Sequence, residues 1–133
     1  MLDLNKRNSS RWAGERGEDL ACRYLEDKGY TLIERNYRTR DGEIDLVMRG
    51  EGPLAGALVF VEVKLRRGTG FGDPLEAVTP KKQAKVRLMA EQYLAEKEED
   101  FATHFGEMRF DVVGILLLPG AGRPEVRHVE DAF

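Results

Sequence analysis

Two short stretches of this chain place ionisable groups where packing alone gives no reason for them. In Leu58-Val59-Phe60-Val61-Glu62-Val63-Lys64 an apolar run carries two opposite charges two residues apart. Read as a strand, with side chains alternating between faces, it sets Phe60, Glu62 and Lys64 on one side. Ionised groups there are costly unless paired with each other, a metal or a ligand. The preceding stretch, Glu43-Ile44-Asp45-Leu46-Val47-Met48, does the same with Asp45. Pairing the two strands symmetrically about the 50–57 loop puts Asp45 opposite Glu62 and Glu43 opposite Lys64. Two carboxylates would then face each other with Cβ atoms about 4.5–5.5 Å apart, a destabilising arrangement for like charges. A divalent cation between them removes the objection, and hard oxygen donors suit Mg²⁺ or Mn²⁺. The alternative at this point is a structural salt bridge of Lys64 with Glu62 or Glu43.

The chemistry that such a constellation could perform is phosphodiester hydrolysis. That reaction needs an activated water, neutralisation of the charge that develops on the phosphoryl oxygens, and help for the leaving oxygen. A cation held by Asp45 and Glu62 would acidify the water and draw in a phosphate oxygen. Lys64, on the same face, could position the water or stabilise developing charge. Glu18 is a candidate third acidic ligand, directly or through water.

The elements that must position these residues are legible from periodicity. Residues 11–28 read as a helix with Ser10 as N-cap and Gly29 as its stop. Gly14, Ala21, Cys22 and Leu25 share one face, with Glu18 in the middle of it. Glu18 therefore either points inward, or lies at the edge of the stripe and snorkels out, or pairs with Arg11 or Arg38. Strands are expected over 30–37, 43–49 and 58–65, joined by short loops into an antiparallel meander. A second helix opens at Thr79-Pro80, a cap followed by proline at the first helical position, and runs to about Glu98. Two more strands are expected over 109–118 and 125–129, the first apolar enough to be interior. The element order is α-β-β-β-α-β-β.

A chain of 133 residues, 41% hydrophobic and 34% charged, suits one soluble domain spanning 1–133. Its longest late apolar run, 112–118, is far short of the ~20 residues that a membrane helix needs. The opening MLDLNKRNSSRW lacks the apolar segment of a secretory leader. The single Cys22 fits a reducing cytoplasm. The net charge of −3 argues weakly against a generic nucleic-acid binder, but its distribution is uneven. Seven basic residues between Lys64 and Arg87 face only Asp73 and Glu76, whereas six acidic residues between Glu91 and Glu107 face only Lys97. Arg66, Arg67, Lys81, Lys82 and Lys85 are the candidates for holding backbone phosphates. His104 and His128 read as surface or edge residues, Trp12 and Tyr24 as core or interface, and Asp111 as a buried hydrogen-bonded group in preference to a distant contributor to the site.

Gly42-Glu43-Ile44-Asp45-Leu46-Val47 followed by Val59-Phe60-Val61-Glu62-Val63-Lys64 resembles the D…(D/E)-X-K signature of the PD-(D/E)XK nuclease superfamily, with Ile44 in the nominal proline position. The chain more narrowly resembles the small bacterial YraN-like family, itself similar to archaeal Holliday-junction resolvases. Gly17-Glu18-Asp19-Leu20-Ala21, Phe71-Gly72-Asp73-Pro74, Lys81-Lys82-Gln83, Arg109-Phe110-Asp111-Val112-Val113 and Asp131-Ala132-Phe133 carry the rest of that resemblance. It implies an α/β restriction-endonuclease-like core, with a mixed five-stranded sheet flanked by helices. It also implies metal-site roles for Glu18, Asp45, Glu62 and Lys64, and an approach of Gln83 to the site. The expected partner is DNA, branched or otherwise structured, with a two-fold homodimer suited to paired cuts. The rival reading is a non-catalytic nucleic-acid-binding or adaptor module on the same fold, and a third is a protein-interaction subunit acting through its acidic face.

Overall fold

The computed structural model describes residues 9–67, 78–118, 120 and 122–133, with the side chains of 9–15 excepted. The Phe71–Pro74 segment, the Trp12 side chain and any pairing of Arg11 fall outside that description. Helix α1 is Ser9–Lys28, so Ser10 lies within it. The strands are β1 (Tyr30–Thr39), β2 (Gly42–Gly50) and β3 (Ala57–Arg67), then β4 (Glu107–Leu117) and β5 (Glu125–Val129). Helix α2, Pro80–Ala95, lies between β3 and β4. Short 3₁₀ turns at Gly52–Leu54 and Phe101–His104 complete the order.

The five strands form one sheet in the order β1-β2-β3-β4-β5. The β1-β2, β2-β3 and β4-β5 pairs are antiparallel, and β3-β4 is parallel. A parallel neighbour cannot be reached by a hairpin, so the chain crosses over through α2. This is the mixed, helix-flanked α/β sheet expected from the sequence, and β4 is interior, paired on both edges. No helix among the described residues is long and apolar enough to cross a membrane.

Each sheet face carries one helix, and strand alternation sorts the core between them. Ala21, Cys22 and Leu25 of α1 pack on Leu46, Met48, Val59, Val61, Val113 and Ile115. On the other face Val86, Met89, Ala90 and Tyr93 of α2 pack on Ile44, Val47, Leu58, Phe60 and Phe110. Gly29 ends α1 at φ 111°, a left-handed conformation that side-chain-bearing residues resist. Thr79 caps α2 by accepting a hydrogen bond from the Lys82 N–H at 3.2 Å, with Pro80 next in the chain. Helix α2 ends at Ala95, short of the expected Glu98, as acidic residues at a helix C-terminus oppose its dipole.

Candidate functional site

The β2-β3 hairpin has the register read from the sequence, and departs from it where the chemistry lies. Leu46 pairs with Val61, Met48 with Val59 and Arg49 with Leu58, but the ladder stops before Asp45 and Glu62. Ile44 packs on the α2 side while Leu46 and Met48 pack on the α1 side, so β2 rotates as it passes Asp45. The Asp45 carboxylate takes over the missing ladder bond: its Oδ2 accepts the Val63 N–H at 2.7 Å. The strands splay, and the opening becomes a cavity of about 570 Å³. Its acidic wall includes Glu43, Asp45 and Glu62, and its basic wall Lys81, Lys82 and Lys85 from α2.

Carboxylate oxygens of Glu18, Glu43 and Asp45 lie within 4.8 Å of one another, a grouping that could hold a metal ion. Glu18 arrives from α1, its side chain only 14% exposed, and Arg35 of β1 lies 3.4 Å from its Oε1. Arg35 also pairs with Asp19. Pairing with Arg11 or Arg38 was the alternative weighed against an inward-pointing Glu18. Arg38 instead donates to Glu43 Oε2 at 2.8 Å. Burial pushes the Glu18 carboxyl above its ordinary range, against the attraction of Arg35. Asp45 is displaced further, up to about 8, by burial first and then by the negative charge of Glu62, with smaller pushes from Glu18 and Glu43. The Val63 N–H works against this shift.

Glu62 sits among lysines. Its Oε1 lies 3.1 Å from Lys64 Nζ and 2.7 Å from Lys82 Nζ. Burial, with the Lys82 ammonium beside it, lowers the pKa of Lys64 despite the attraction of Glu62. Lys82 is also penalised by burial, but its hydrogen bond to Glu62 and the charge of that carboxylate raise it overall. The structural ion pair weighed for Lys64 is thus present.

The other candidates divide. Lys81 and Lys85 line the cavity with Lys82; Arg66 and Arg67, at the far end of β3, do not. Gln83 also does not line it: its side-chain amide donates to the Val78 carbonyl at 3.1 Å, bracing the start of α2. Glu43 joins the acidic group although it was read only as a partner of Lys64. It stands two residues before Asp45, so strand periodicity already offered that signal. No local pattern announces that Lys82 would reach Glu62, because that contact depends on how α2 lies across the sheet.

A second polar cluster contributes none of the residues that line the cavity. Asp111 is fully buried and accepts from Arg109 Nη2 at 2.8 Å and from the Asp131 N–H at 3.0 Å. His128 Nε2 lies 2.7 Å from Asp111 Oδ2, and Lys28 Nζ lies 2.9 Å from His128 Nδ1. An ammonium only donates, so Nδ1 accepts and Nε2 carries the proton offered to Asp111. Burial works to raise the Asp111 pKa, but these hydrogen bonds hold it below 3.8. His128 lies on the edge strand β5, as the surface-or-edge reading allowed, but its side chain is only 2% exposed because its register opposite Val113 brings it to Asp111.

A family model described as "Uncharacterised protein family UPF0102" matches residues 17–115. That span includes every cavity-facing residue named above. A UPF0102 protein of Rhodococcus opacus is 49% identical over 120 residues, covering 90% of this chain and 94% of the relative. One of Nocardia farcinica is 44% identical over 120 residues, covering 90% and 87%. One of Pelobacter propionicus is 42% identical over 127 residues, covering 96% and 86%.

Proposed function

The chain belongs to the uncharacterised protein family UPF0102, the YraN family that its sequence resembles, and from that premise we propose that it is a Mg²⁺- or Mn²⁺-dependent endonuclease acting on structured DNA. The observation that carries the reading is the splayed hairpin: carboxylates converge on one wall of an open cavity and lysines on the other. The donor set fits a hard divalent cation, since Glu18, Glu43 and Asp45 offer only carboxylate oxygens. Asp45 at about 8 also marks a carboxylate whose charge lacks compensation from the protein alone. Glu18, Glu43 and Asp45 would hold the cation, with Glu62 as a further donor. When bound, the cation would supply positive charge to a phosphate oxygen and acidify the attacking water.

The chain's own residues do the rest. Lys64, fixed beside Glu62, offers an ammonium to the charge that develops on the phosphoryl oxygens. Lys81 and Lys85 project from α2 into the cavity that Glu62 lines and hold flanking phosphates without reading sequence. Arg35 keeps the Glu18 carboxylate turned into the site.

The test incubates the purified chain with supercoiled, linear, single-stranded and four-way-junction DNA in Mg²⁺, Mn²⁺ or EDTA. Cleavage is expected with metal only, and not in Asp45→Asn, Glu62→Gln or Lys64→Ala. Undiminished cleavage in EDTA would refute the reading. Binding with no cleavage under any condition would favour the non-catalytic module.

A further inference from the structure

We propose that Lys82 is a positioning residue that holds Glu62 in place until a divalent cation takes that carboxylate, and then turns to a backbone phosphate. The proposal rests on the reading of the cavity as a divalent-cation site. Glu62 is 7% exposed, and a single oxygen of it takes both ammonium groups. The two lysines are not equivalent. Lys64 is on the same strand and its side chain is 15% exposed, so it has little room to leave. Lys82 reaches across from α2 with a side chain 38% exposed, and it lines the cavity with Lys81 and Lys85.

The backbone that carries Lys82 is braced. Its N–H donates to Thr79 Oγ1 at 3.2 Å, the Gln83 N–H donates to the Thr79 carbonyl at 2.8 Å, and the Gln83 amide holds the Val78 carbonyl. Only the side chain is therefore free to swing. Lys81 and Lys85 have no ion pair among the described residues, so Lys82 is the α2 lysine that the acidic wall has claimed. Two ammoniums on one oxygen repel each other, and the charge of Glu62 holds them together. A cation that shares Glu62 with Glu18, Glu43 and Asp45 would release the more exposed of them. The freed ammonium then meets a phosphodiester at the cavity mouth, so metal and nucleic acid favour each other's binding through one side chain.

The test titrates Mn²⁺ alone into the full chain by calorimetry, with no DNA present. Its subjects are the parent, Lys82→Ala, Lys82→Gln, Lys82→Arg and Lys85→Ala, each first checked by thermal melting. Removing the competitor should tighten Mn²⁺ binding about tenfold in Lys82→Ala and Lys82→Gln, the worth of one partly exposed charge-assisted hydrogen bond. Lys82→Arg should stay near the parent. Lys85→Ala, which deletes an equal charge without the contact, should change affinity by about twofold or less. If the parent binds Mn²⁺ and Lys82→Ala behaves like Lys85→Ala, the exchange is overturned and the nuclease reading stands. If the parent binds no Mn²⁺, the cation site falls and the exchange with it.

Discussion

Replacing Asp45 by Asn should stabilise the metal-free protein, by an amount that grows with pH. The folded chain holds the Asp45 proton to about 8, against an ordinary value of 3.8. A carboxyl raised on folding costs nothing below its unfolded pKa, and an increasing amount as pH climbs to its folded one. At 1.36 kcal/mol per pKa unit the cost at pH 7 would reach about 4 kcal/mol. The cavity beside Asp45 admits water, so about half of that, roughly 2 kcal/mol, is the expected gain for Asp45→Asn. The Asn oxygen can still accept the Val63 N–H, so the splayed hairpin is retained. Urea melts of both proteins in EDTA, from pH 4 to pH 9, read the difference directly. It should be near zero at pH 4, rise through neutrality and level off near pH 8. Mn²⁺ at about a hundred times its dissociation constant should then stabilise the parent by about 2.7 kcal/mol and the variant much less. A difference that is flat with pH would refute the reasoning. So would a loss of about 3–5 kcal/mol in EDTA, since that is what stranding a lysine partner of an ionised Asp45 would cost.

Two further outcomes follow from the cavity and from the Asp111 cluster. The double variant Lys81→Ala, Lys85→Ala should weaken DNA binding across sequences and reduce the slope of log K against log salt by about 1.8, as fluorescence-anisotropy titrations at several salt concentrations would read; an unchanged slope would remove both lysines from the phosphate path. Asp111→Ala strips the buried Arg109 of its carboxylate and His128 of its acceptor, so urea melts should show a loss of about 3–5 kcal/mol with Mn²⁺ affinity unchanged; a loss under about 1 kcal/mol would mean that the network contributes little.

Much of this molecule is determined locally, and sequence alone sufficed there. The element order, the Gly29 stop, the Thr79-Pro80 start and the β2-β3 register follow from periodicity, capping and loop length, all of which act within a few residues. The acidic and lysine residues of the hairpin were visible for a similar reason, because charges in an apolar alternating strand conflict with their surroundings. Which of those charges meet was decided only by tertiary structure. The splay at Asp45, the choice of Arg35 as the partner of Glu18 and the reach of Lys82 to Glu62 depend on how β2 rotates and how each helix lies across the sheet. The contact of the edge residue His128 with Asp111 was hidden for the same cause: the two are 17 residues apart, on strands that meet only when the sheet forms. Pairing of charges is set by distances in space, and a linear pattern carries those only where secondary structure fixes them.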